Sequence, residues 1–296
     1  LRRAVLAVVL CCCSVFLAAQ PDTPTGLTVQ AYDHHCELHW DASAAPGLQG
    51  YRIYAQHEGE ATYSFIGFVN NVKTSFIDFI GDWNKTTAYY LTAVDLAAQE
   101  SIPSDTLSAT TFEMTDEQLL DMVQAYTFRY FWDFAHPVSG LARERNTTST
   151  VTAGGSGFGI MAIIVGAERG FLTYEEALLR INKIVNFLHD DTPRFKGAFP
   201  HWFNGANGQV VPFSPQDNGG DLVETAFLVQ GLLTAREYFS GNTAMEIAVR
   251  EKITNIWEAV DWNWYRKLVS NVLFWHWSPD NNFNINLPIQ GFNETH

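Results

Sequence analysis

Thr115-Asp116-Glu117-Gln118-Leu119-Leu120-Asp121-Met122-Val123 is where the hydrophobic period of this 296-residue chain changes from two to about 3.6. Beyond it, Leu119, Val123, Tyr126, Tyr130 and Phe134 fall on one helical stripe. A second helix is expected from near Phe158 to Arg169, almost wholly apolar and therefore buried on all sides. Further helices are expected from Tyr174 to about His189, from Leu222 to Phe239 and from Ala244 to Val260. Capping boxes open three of these: Thr115-x-x-Gln118, Thr173-x-x-Glu176 and Thr243-x-x-Glu246. Before Thr115 the period is that of strands. Leu27-Thr28-Val29, Cys36 to Trp40, Tyr51 to Tyr54 and Tyr89 to Val94 alternate, with turn clusters at Ala44 to Gly50 and Gly81 to Asn84. Short strands at such spacing predict an antiparallel sandwich.

The fold class that follows is multidomain. An all-β, immunoglobulin-like sandwich over 20–113 precedes an all-α region over 114–296. No βαβ alternation occurs, which argues against a parallel sheet. Successive antiparallel helices joined by long aromatic loops suggest an (α/α)6 toroid. That architecture takes about twelve helices, so the chain is expected to hold roughly its first half, with helix faces left unburied.

Charge narrows the function. With 18 basic and 32 acidic residues the net charge is −14, which excludes nucleic-acid binding and disfavours anionic membranes. An acidic chain rich in aromatics suits a neutral, hydroxyl-rich ligand. Arg2 and Arg3, the apolar run Ala4 to Ala18 and the small pair Ala18-Ala19 read as a signal peptide over 1–19. Export to the periplasm or beyond is expected, without membrane insertion after cleavage, as a monomer. An outer-surface lipoprotein is the weaker alternative, because Leu10 or another cysteine precedes each of Cys11, Cys12 and Cys13. After cleavage only Cys36 remains, so no intrachain disulfide is expected.

The chemistry concentrates at Asp217-Asn218-Gly219-Gly220-Asp221-Leu222-Val223-Glu224. Asp221 and Glu224 share one face of a first helical turn, and glycosidic cleavage needs two carboxyl groups. Asp-x-x-Glu before an apolar run is equally a capping box. In Phe199 to Gly205, Trp202 and Phe203 read as sugar platforms with His201 and Asn204 as hydrogen-bond partners, or as a buried aromatic cluster. Trp275, His276 and Trp277 form a polar-aromatic run, and Glu294 adds a carboxylate. Asp133, Glu144 and Arg145 lie in or beside a charged loop that, alone, reads as solvated. Gly155 to Gly159 is not a nucleotide loop, since Thr147 to Thr152 reads as a polar loop where a strand would be needed. His34, His35 and His39 lack zinc-site spacing. No metal or cofactor is expected.

Two resemblances extend this reading. Pro24-x-x-Leu27-x-Val29, Leu38-x-Trp40, Gly50 to Tyr54 and Tyr89 to Asp95 resemble a fibronectin type III domain, the last matching the strand that carries its tyrosine corner. Phe128 to Phe134, Pro137-x-x-Gly140-Leu141, Gly154 to Gly159, Gly197 to Trp202, Asp217 to Phe227 and Trp275 to Pro279 resemble the glycoamylase-like family. That group includes the bacterial β-1,2-glucanases of glycoside hydrolase family 144. The resemblance implies a toroid, an exported setting and hydrolysis of β-1,2-glucan. It implies Glu224 as the acid, with Glu294, Asp221 or a carboxylate beyond His296 as its partner. Asp133, Glu144, Arg145, His201, Trp202, Asp217, Asn218, Trp275, His276 and Trp277 are then candidate substrate contacts. Glucan transglycosylation, phosphorolysis and non-catalytic glycan binding are the alternatives.

Overall fold

The computed structural model describes residues 20–267 and 270–289. The segment read as a signal peptide, with Cys11, Cys12 and Cys13, lies outside the described residues, as does Glu294. The chain divides into two compact units between Leu119 and Leu120.

The first unit is all-β. Strands β1 (Thr28–Ala31), β2 (His35–His39) and β5 (Ser75–Phe79) form one antiparallel sheet in the order β1-β2-β5. Strands β4 (Ser64–Asn70), β3 (Leu48–His57), β6 (Thr86–Asp95) and β7 (Leu107–Thr110) form a second, in the order β4-β3-β6-β7. Alternation sends Cys36 and Leu38 from one sheet, and Tyr51, Ile53, Tyr89 and Leu91 from the other, into one buried core. Trp40 closes it edge-on to Tyr51, with ring centroids 5.3 Å apart. The Tyr89 hydroxyl donates to Asp78 Oδ2 at 2.9 Å, a side chain on β5. Cys36 is a free, buried thiol.

The second region is helical. Its helices are α1 (Asp116–Trp132), α2 (Ala153–Glu168), α3 (Tyr174–Asp190), α4 (Leu222–Tyr238) and α5 (Ala244–Glu258). Both elements of each expected capping box form, at Thr115 with Gln118, Thr173 with Glu176 and Thr243 with Glu246. Short strands join the loops: β8 (Thr150–Thr152), β9 (Trp202–Asn204) and β10 (Val210–Val211) in one sheet, β11 (Gly220–Asp221) and β12 (His276–Trp277) in another. No described helix is long and apolar enough to cross a membrane.

Four expectations change here. Thr150 to Thr152 is a strand, not a polar loop, although it pairs antiparallel with β9 and opens no βαβ unit. Helix α2 begins at Ala153, so the glycine run lies inside it. A Cβ at Gly157 would stand 2.2 Å from the carbonyl oxygen of Phe227, so glycine is what lets α2 and α4 meet backbone to backbone. Nor is α2 buried on all sides: Val165 is about half exposed, as is Phe158, although its ring packs on Phe227 of α4 with centroids 5.4 Å apart. On α1 the buried residue is Phe128, while Val123 and, just beyond the helix, Phe134 are exposed. Phe128 sits where α2 offers Gly166, and it packs on Trp132 and Phe171 with centroids 5.8 and 5.6 Å away.

Candidate active site

Asp221 organises the site. As N-cap of α4 it accepts the Glu224 N–H on Oδ1 at 2.9 Å. Its Oδ2 accepts from His201 Nδ1 at 2.8 Å and from the Trp275 indole at 2.6 Å. Its own N–H donates to Phe199 O at 2.8 Å. The pairing of β11 with β12 sets Asp221 opposite His276 and brings the distant Trp275 alongside. Asp221 is wholly buried.

Glu224 does not close the capping box that its spacing suggests. Its Oε2 instead accepts the N–H of Gly154, in the first turn of α2, at 2.8 Å. A Cβ at residue 154 would approach that oxygen to 2.7 Å, so the glycine makes room for the carboxyl. Burial pushes the Glu224 carboxyl above the usual glutamate range. His201 and the Gly154 N–H oppose the shift, Asp221 adds to it, and burial prevails.

Glu224 opens on a cleft of about 740 Å³ that His201, Phe213, Asp217, Trp275 and His276 also line. Phe213 packs on both His201 and Trp202, with ring centroids 4.4 and 4.8 Å away. The imidazole of His201 feels two opposed effects. Burial lowers its proton affinity, but the hydrogen bond and charge of Asp221, with Glu224 and Asp217, raise it above the ordinary histidine value. Asp217 is pushed up to about 6 by burial, Asp221 and Glu224, against the pull of His201.

The other candidates lie elsewhere. Asn218 uses its amide on Asp280 and Asn281, holding the turn after β12. Trp277 packs edge-on against Trp264 at 5.4 Å. Asp133 is exposed past the end of α1, and Glu144 pairs with the exposed Arg145 at 3.1 Å. None of these lines the cleft. Phe213, Ile285 and Leu287 do line it, and sequence reasoning passed over them. Their only signal was apolar character inside polar loops.

His201, Asp217 and Asp221 each offer one ligand atom within 4.8 Å of the others. Asp221 Oδ2 is already taken by two N–H groups, and the His201 nitrogen facing it is one of those donors.

No established family profile matches the chain. It is 46% identical, over 278 residues, to an exo β-1,2-glucooligosaccharide sophorohydrolase (non-reducing end) of Parabacteroides distasonis, across 93% of this chain and 38% of that protein. The crystal structure of a β-1,2-glucanase from Parabacteroides distasonis superposes with a TM-score of 0.80 at 45% identity, over 94% of this chain and 40% of the other. The endo-β-1,2-glucanase of Chitinophaga pinensis, in complex with sophorotriose and glucose, gives 0.59 at 47% identity, over 62% of this chain and 45% of the other. The chain is a homologue of β-1,2-glucan hydrolases, as the sequence resemblance implied. It spans less than half the length of each of these relatives.

Proposed function

We propose that this chain is the N-terminal part of an exported glycoside hydrolase that cleaves β-1,2-glucan with Glu224 as general acid. In this reading residues 20–113 are a fibronectin type III spacer, and the helices from 114 onward begin an (α/α)6 toroid. The observation that carries it is the Glu224 carboxyl itself. It lies in a cleft, turned from its own helix cap to the Gly154 N–H, and burial favours its protonated form.

The reaction then follows the two-carboxyl scheme. Glu224 gives its proton to the glycosidic oxygen as the bond to the anomeric carbon breaks. The carboxylate left behind is stabilised by the Gly154 N–H and by His201. A water oxygen bonds to the anomeric carbon, and its proton passes to a second carboxylate, Glu294 or one beyond His296. A separation of about 6.5–9.5 Å between the two would mark inversion, and one of about 5 Å retention. Asp221 acts as a positioning residue, holding His201, Trp275 and the start of α4 in one geometry.

The test is product analysis on β-1,2-, β-1,3-, β-1,4- and β-1,6-glucans with the chain extended over the length of its relatives. Short oligosaccharides from the β-1,2 polymer alone are expected. Glu224→Gln should lower turnover by about 10²–10⁴-fold while sparing binding. Near-normal turnover in that variant would reject the assignment.

A further inference from the structure

His276 and Asp217 face each other across the floor of the cleft with polar atoms that hydrogen bonding does not account for. His276 Nε2 accepts the backbone N–H of Gly219 at 3.1 Å. That donor assigns Nε2 as the lone-pair nitrogen, so the ring is neutral, with its proton on Nδ1. Burial also disfavours the imidazolium. Asp217 Oδ1 lies 3.2 Å from the same Nε2. Oδ1 is buried without a hydrogen-bond partner, as is His276 Nδ1. An ionised oxygen there would face a lone pair instead of a donor. The groups facing Asp217 are Asp221 and Glu224 at the start of α4, His201 before β9 and His276 on β12. Of these only His201 brings positive charge, and its Nδ1 is committed to Asp221.

We infer that in mildly acidic solution Asp217 stands in the cleft as a neutral carboxylic acid, and that Oδ2, the oxygen not turned to His276, acts as a hydrogen-bond donor to a sugar oxygen. The neutral ring of His276, fixed by Gly219, keeps it so. The role toward sugar rests on the hydrolase reading above; the protonation state does not. A fixed donor here would read one hydroxyl or ring oxygen of the glucan, while the reacting proton stays with Glu224.

Infrared difference spectroscopy of the full chain, with isotope-labelled aspartate and no glucan present, tests the protonation state. A protonated-carboxyl band titrating at a pH of about 6 is expected, and it should vanish in Asp217→Asn. His276→Gln turns an amide donor toward Oδ1, so the midpoint should fall toward the ordinary aspartate value. Identical aspartate spectra in wild type and Asp217→Asn would overturn the inference. If Asp217→Asn does not fold, the His276→Gln midpoint decides, and an unmoved midpoint overturns it. Glucan cleavage with Asp217 ionised would sink this inference and leave the hydrolase reading standing; a neutral Asp217 with no glucan cleaved would do the reverse.

Discussion

Asp221 shows how much one side chain can hold in place. Its two oxygens accept from the Glu224 backbone, His201 and Trp275, while no part of it meets solvent. Asp221→Ala would strand all three donors. The expected loss is about 3–5 kcal/mol of stability, read as a lower urea midpoint. Asp221→Asn keeps the shape and removes the charge. The His201 imidazole should then titrate at lower pH than in wild type, which the pH dependence of its NMR resonances would report. An unchanged His201 titration would mean that Asp221 does not set its proton affinity. Sequence exposed the residue but not the role. Asp-x-x-Glu at a helix start reads equally as a cap and as a catalytic pair, and here Asp221 is the cap while Glu224 is released from it.

At the scale of elements, the contact of α2 with α4 decides where Glu224 points. Alanine is a better helix former than glycine by about 0.5–1 kcal/mol, so local propensity alone would make Gly157→Ala stabilising. The Cβ would stand 2.2 Å from Phe227 O, a backbone atom that cannot step aside. Net destabilisation by about 1–3 kcal/mol is expected in thermal or chemical unfolding, with weaker glucan turnover as α2 moves from Glu224. Thr173→Ala, at the capping box of α3, should cost about 1 kcal/mol and leave turnover unchanged. The helix ranges and capping boxes were legible because caps and the 3.6-residue period are local. The glycine run was misplaced as the approach to a helix, because nothing local says which second helix will need the space.

For the molecule as a whole, the shifted groups set a window of stability. Glu246 is held down at about 2 by Thr243 and Tyr174, so its contribution is lost as pH falls from the ordinary glutamate range through that value. Asp217 has the opposite sign. Its raised affinity contributes stability below the ordinary aspartate value, and this is lost as pH rises through about 6. Glu224 and His201, both raised, push in the same direction as Asp217. The melting temperature should therefore peak in mildly acidic buffer and decline toward neutral pH. Asp217→Asn should flatten that decline, and a melting temperature that rises steadily to pH about 8 would contradict the sign.

What the sequence determined by itself was whatever depends on near neighbours: a β region before Thr115, helices after it, their caps, the acidic charge and the resemblance to glucan hydrolases. What the tertiary structure decided was which residues share a cleft. Asp221 and Trp275 meet because a strand pair of two residues on each side joins segments far apart in the chain, and the Asp221 N–H, bonded to Phe199 O, brings the segment of His201 to them. Asp133, Glu144 and Arg145, which read alone as a solvated loop and became candidate contacts only through the resemblance, fall outside that cleft. Pairings so short carry almost no hydrophobic pattern, and burial, which gives Glu224 and Asp217 their proton affinity, exists only once the chain has packed.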